Sequence, residues 1–303
     1  MSREVIANMG HSVNARLKHL SEKQHQRFDY ILLRYAIERF LYRLGQSEHH
    51  SRFVLKGASV FAVWCGPVFR VTRDADLHCH GESNPDLLLQ CFRDICRQRV
   101  PDDGVSFDVA SMTSSEIRKE AKYRGTRITF NAYIDKARVT LQFDVGFGDS
   151  VFPEALAQDY PALLDFPCPN VRIYPRCTIV AEKFEAMISI GMLNSRLKDY
   201  FDLWLLSEDF DFDHATLRRA IELTFARRGT SLPTGLPVAL SDEFANDRMK
   251  QSQWMAFMKK VSPSRHPDSL LDCIVRLREF LLPFYGRNEA PIATWKAMGP
   301  WIP

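Results

Sequence analysis

Two runs of strictly alternating side chains, RITFNAYI (127–134) and RVTLQFDVGFGD (138–149), stand three residues apart. In the first, Ile128, Phe130, Ala132 and Ile134 share one face. In the second, Val139, Leu141 and Phe143 fall on one face and Thr140, Gln142 and Asp144 on the other. A period of two is the signature of a strand, and the connection Asp135-Lys136-Ala137 predicts an antiparallel hairpin. Two further strands are expected at VSFDVASM (105–112) and in RVTRDADLHCH (70–80).

Helical spacing dominates elsewhere. Residues 1–48 hold two amphipathic stretches, with Tyr30, Leu33, Ala36, Phe40 and Leu44 recurring on one face of the second. NPDLLLQCFRDICRQR reads as a helix opened by Asn84 and Pro85. A Pro-rich stretch, 152–175, reads as a connector with one short strand, and from Thr178 the chain reads as helical to its end. The fold class that follows is α+β, with a mixed sheet of about four strands. Three regions are expected: N-terminal helices over 1–50 packing on a head, the head itself over 51–175, and an all-α C-terminal body over 176–303.

Within the head, Asp74 and Asp76 are one residue apart in a strand-like run, so they share a face while Ala75 takes the other. Two like charges so placed repel unless a cation lies between them. Ahead of them, Lys56-Gly57-Ala58-Ser59 breaks an apolar run at the start of a helix-like segment. Such a turn exposes backbone N–H groups and a hydroxyl that can cradle phosphate. Asp144 is a third acid on a polar strand face. Three carboxylates converging from neighbouring strands suit Mg²⁺ or Mn²⁺, hard cations that leave room for substrate phosphates. Each element also has a plainer reading: a solvated Asp pair, an ordinary turn, and Asp144 capping the bend after it.

The other composition signals are mostly exclusions. A net charge of +3 excludes a polycation but allows a local basic patch, and Arg118, Lys119, Lys122, Arg124 and Arg127 form one around Tyr123. That run can track an RNA backbone, or be a solvated helix and turn diluted by Glu116 and Glu120. The seven cysteines lack paired CxxC spacing and read as reduced thiols. His78 and His80 share a strand face without a third partner, and His49, His50 and His214 read as surface residues. No apolar run approaches a bilayer span, and a cytoplasmic location is expected.

LKGASVFAVW followed by RVTRDADL resembles the nucleotidyltransferase superfamily signature, in which a Gly-Ser turn opens a helix and an aspartate pair follows on the next strand. Arg70, Thr72, Asp74 and Asp76 fill the Arg-x-Thr-x-Asp-x-Asp pattern of the AbiEii/AbiGii toxin family, which includes the MenT toxins. A second block, AEKFEAMISIGMLNSRLKDYFDLWLL, is similar to that family's later motifs through Lys183, Arg196, Lys198, Asp199 and Asp202. Ala58 departs from the family by replacing a second small glycine.

The resemblance implies an NTP-using, Mg²⁺-dependent toxin that transfers a nucleoside monophosphate to RNA, foremost the tRNA 3′ end. It implies a cognate AbiEi-like antitoxin and no membrane partner. Asp74 and Asp76 would bind metal with Asp144. Lys56, Gly57, Ser59, Arg70, Thr72 and Arg73 would bind the nucleotide, and Lys183 would place a charge on its triphosphate. Asp199 or Asp202 would orient that lysine or act as a base. A protein or small-molecule acceptor, or a non-catalytic binding module, stands as the alternative.

Overall fold

A computed structural model of the chain describes residues 8–66, 74–81, 83–119, 123–261, 263, 265–285 and 293–303. Arg70, Thr72, Arg73 and Lys122 lie outside them. The chain forms two compact units, Met1–Gly148 with Leu156–Ile173, and Asp149–Ala155 with Tyr174–Pro303.

The first unit is a mixed sheet covered on one face by helices. In chain order it runs α1 (Met9–Lys23), α2 (Phe28–Gln46), β1 (Phe53–Lys56), a 3₁₀ turn (Gly57–Val60), α3 (Phe61–Cys65), β2 (Ala75–Cys79), α4 (Pro85–Arg97), β3 (Val105–Lys119), β4 (Tyr123–Ile134), β5 (Ala137–Phe147), β6 (Leu156–Asp159) and β7 (Asn170–Ile173). The strand order is β3-β4-β5-β2-β1-β7-β6. The β2–β5 and β1–β7 pairs are parallel, and the other pairs in this sheet are antiparallel.

The expected hairpin is present as β4 and β5, with Ile134 opposite Ala137. Its alternating apolar residues are buried, and Phe143 and Phe130 pack 4.4 Å and 5.7 Å from Phe40 of α2 between ring centroids. Phe92 of α4 joins them 5.1 Å from Phe40, stacked. Burial of these aromatic rings, beside aliphatic residues such as Leu41, Leu77 and Leu141, favours the folded unit. Helix α4 starts where the sequence sets it: Asn84 Oδ1 accepts from the N–H groups of Asp86 and Leu87, and Pro85 occupies the first turn.

The sheet is larger than the four strands expected. The connector over 152–175 supplies two strands, β6 and β7, instead of one. Strand β3 runs on to Lys119 and β4 starts at Tyr123, so residues 115–119 and 123–127 of the basic stretch pair as strands and are not helical. Cross-strand pairing continues the ladder past the point where hydrophobic alternation fades, which propensity along one strand cannot show.

Helix α2 carries a buried charge pair that ties down the segment between β6 and β7. Glu38 and Arg39 are each about 1% exposed, with Arg39 Nη2 2.7 Å from Glu38 Oε1. Glu38 Oε2 accepts the Leu163 N–H at 2.7 Å, and Arg39 donates to the Pro167 carbonyl at 2.8 Å. Burial pushes the Glu38 carboxyl up to about 7 from 4.5, against the opposing pull of Arg39, the Leu163 N–H and Arg34. A carboxyl with a raised folded pKa favours folding below its unfolded value and loses that contribution as pH rises through the folded one. Stability should therefore fall by about 3 kcal/mol between pH 4.5 and pH 7 from this group. Chemical denaturation of Glu38→Gln tests this: the variant should gain about that much relative to wild type between pH 5 and pH 8. A pH-independent difference contradicts it.

The second unit is mainly helical: α5 (Arg176–Ile190), α6 (Leu197–Asp209), β8 (Phe212–Asp213), α7 (His214–Arg228), α8 (Asp242–Asn246), α9 (Arg248–Val261), α10 (Leu270–Leu281), β9 (Thr294–Trp295) and β10 (Trp301–Ile302). The three short strands form a small antiparallel sheet that the all-α expectation did not include. Trp295 is fully buried there and donates to the Ser207 carbonyl at 2.7 Å. His214 is a correction: it is buried, not a surface residue, and stacks on Phe284 at 5.3 Å. No described helix is long and apolar enough to cross a membrane.

Candidate active site

The helices cover one face of the first unit's sheet, and the other face carries a row of charge. The register sets Arg127 of β4 opposite Asp144 of β5, Asp144 opposite Asp76 of β2, and Asp76 opposite Lys56 of β1. Cross-strand partners point to the same side of a sheet. Four adjacent strands thus present cation, acid, acid, cation in one line, with Asp74 just before β2. Leu55, Ala75, Leu77, Phe143 and Val145, the alternate residues of these strands, are buried in the core. Charge on one face and hydrocarbon on the other follow from the pleat.

Gly57 and Asp76 are packed against each other. Gly57 has φ +68°, and a Cβ built on it would lie 2.2 Å from Asp76 Oδ2. Only glycine allows both the left-handed backbone and that approach. The turn residues Gly57–Val60 therefore start directly beside the acid. Ser59 is buried, about 3% exposed, within this turn.

Asp144 is buried at 4% exposure and joined to Arg127 in a two-pronged fork, Nε to Oδ1 at 2.8 Å and Nη2 to Oδ2 at 2.9 Å. The Arg127 pKa is raised, first by this hydrogen bonding, against some burial, and then by the charges of Asp144, Asp74 and Asp76. The guanidinium thus feels the field of all three acids. With its side-chain amide turned, Gln142 also accepts from Arg127 at 3.2 Å. Sequence reading used Arg127 only as part of the basic run. The short β4–β5 connection was the signal available, because it fixes residue 127 opposite residue 144.

Asp74 and Asp76 offer hard carboxylate oxygens on one face, beside a turn no side chain can fill, and these suit a divalent cation. Among the described residues, no three His, Cys, Asp or Glu side chains gather as metal ligands.

In the second unit, Lys183 of α5 meets both acids of α6. Its Nζ lies 2.5 Å from Asp199 Oδ1 and 2.8 Å from Asp202 Oδ2. Asp199 and Asp202 are three apart on one helical face, and Arg196 Nε completes the cluster 2.7 Å from Asp199 Oδ2. Asp202 is fully buried and Asp199 about 1% exposed. Burial disfavours the Lys183 ammonium, but the two carboxylates outweigh it and raise its pKa. Burial likewise opposes ionisation of Asp199, and Lys183 and Arg196 overcome it, lowering that pKa. Lys183 is thus a fixed cation seated on two acids and not a side chain reaching for solvent.

Of the expected RNA-facing residues, Arg118 and Lys119 lie on β3 and Arg124 on β4, with Arg118 directly opposite Arg124 in register.

A family model described as the nucleotidyl transferase AbiEii toxin of a type IV toxin–antitoxin system matches residues 39–276. No curated protein matches the chain at a significant level. Among solved structures, JHP933 from Helicobacter pylori is 14% identical, with a TM-score of 0.46, covering 82% of this chain and 88% of its own. A second H. pylori protein, described as a "putative nucleotidyltransferase", is 17% identical, with a TM-score of 0.42, covering 79% of this chain and 87% of its own.

Proposed function

The chain belongs to the AbiEii nucleotidyl transferase toxin family, and from that premise we propose that it moves a nucleoside monophosphate from an NTP to an RNA end, foremost the tRNA 3′ end. Blocking that end would stop aminoacylation, which accounts for toxicity, and a cognate AbiEi-like antitoxin is the expected partner. The observation that supports the reading is the close approach of the Gly57 turn to Asp76, where backbone N–H groups able to take phosphate would stand beside a carboxylate able to take a metal.

In this reading Asp74 and Asp76 hold a divalent cation, Mg²⁺ or Mn²⁺, whose charge offsets that developing on the transferred phosphate. The Gly57–Val60 turn and Ser59 cradle the triphosphate, and Lys56, Arg70, Thr72 and Arg73 add charge and hydrogen bonds around it. The family resemblance assigns Lys183 a role toward phosphate, and Asp199 and Asp202 would orient that lysine, since buried carboxylates already bonded to an ammonium are poorly placed to take a proton.

The basic end of the β3–β4 hairpin supports the choice of RNA. Binding to an RNA backbone through Arg118, Lys119, Lys122 and Arg124 should weaken steeply with salt. The test is incubation of the protein with Mg²⁺, total tRNA and each α-labelled NTP in turn. Label in tRNA, removed by trimming its 3′ end, is expected. Label confined to a protein band would move the acceptor to a protein hydroxyl.

A further inference from the structure

The third acid of the charged row does not stand as a third metal ligand would. Both Asp144 oxygens accept from Arg127 at 2.8 and 2.9 Å, and the carboxylate is buried. A paired Arg–carboxylate fork is among the strongest charge-assisted contacts, and removing one partner strands a buried charge. A cation seeking Asp144 would have to displace the guanidinium and then match two directed hydrogen bonds.

Charge along the row points the same way. Asp74, Asp76 and Asp144 against Arg127 and Lys56 leave one net negative charge among these five groups. One divalent ion is enough to turn that into one net positive charge, favourable for a triphosphate.

Resting on the proposed function, we infer that Arg127 seated on Asp144 takes the place of a second metal ion, so that the site binds one divalent cation, at Asp74 and Asp76. Arg127 is then a positioning residue: it fixes a permanent positive charge beside the acids and closes Asp144 to metal.

Mn²⁺ binding, counted from loss of the free-ion electron paramagnetic resonance signal, tests this without any turnover. The chain should bind one ion, lost in Asp76→Asn. Arg127→Ala should bind two, coupled to each other, because it uncovers Asp144. The double variant Arg127→Gln with Asp144→Asn removes the pair without changing net charge and should still bind one. It also guards against misfolding caused by a stranded carboxylate. Two ions in wild type, or loss of the ion in the double variant, would overturn the inference and leave nucleotidyl transfer standing. No ion in wild type would overturn the functional reading, and the inference with it.

Discussion

Replacing Asp76 by asparagine should lower nucleotidyl transfer by about 10³-fold or more, roughly 4 kcal/mol of lost transition-state stabilisation, with the fold intact. Asp76 lies between the Gly57 turn and Asp144, so it is the acid most central to the charged row. The amide keeps shape and size but loses the charge that holds a divalent cation. Thermal stability should stay near that of wild type, because the change removes both the repulsion from Asp144 and the attraction of Lys56 on β1. Transfer of α-label, measured beside the melting temperature, checks both halves. Activity within tenfold of wild type would remove Asp76 from the catalytic machinery.

The second large effect is on stability. Lys183→Met takes the ammonium away from two carboxylates that are almost fully buried. Asp199 keeps Arg196, whereas Asp202 loses the ammonium 2.8 Å from its Oδ2. Breaking a buried pair from one side costs about 3–5 kcal/mol, far more than the pair contributes net. The melting temperature should drop, and adding Asp202→Asn to Lys183→Met should recover part of the loss. The penalty should also shrink toward acid pH, where a buried carboxylate that has lost the ammonium can take up a proton. A Lys183→Met variant as stable as wild type would mean that the cluster does not hold α5 to α6.

Much of this was legible in the sequence, for identifiable reasons. Strict alternation in 127–134 and 138–149 announced the β4–β5 hairpin because one face had to be buried. Asn84-Pro85 announced the start of α4 because the capping chemistry is local. The neighbourhood of Gly57 and Asp76 followed from motif order. Strands β6 and β7 were harder to read, since each has four residues and the exposed β6 shows no alternation. The far half of β3 was hidden because its strand character comes from pairing with β4. His214 looked superficial beside Asp213, but the aromatic residues that bury it come from Phe284 and Trp301, distant in sequence. The Arg127–Asp144 fork was concealed by reading Arg127 as one more positive charge in a basic run.

The most direct test of nucleotidyl transfer compares α- and γ-labelled versions of the same NTP in one reaction with tRNA and Mg²⁺. α-Label is expected to enter the RNA while γ-label leaves as pyrophosphate, in equal amounts. γ-Label in the RNA, with α-label left on a nucleoside diphosphate, would make the enzyme a phosphotransferase and contradict the account.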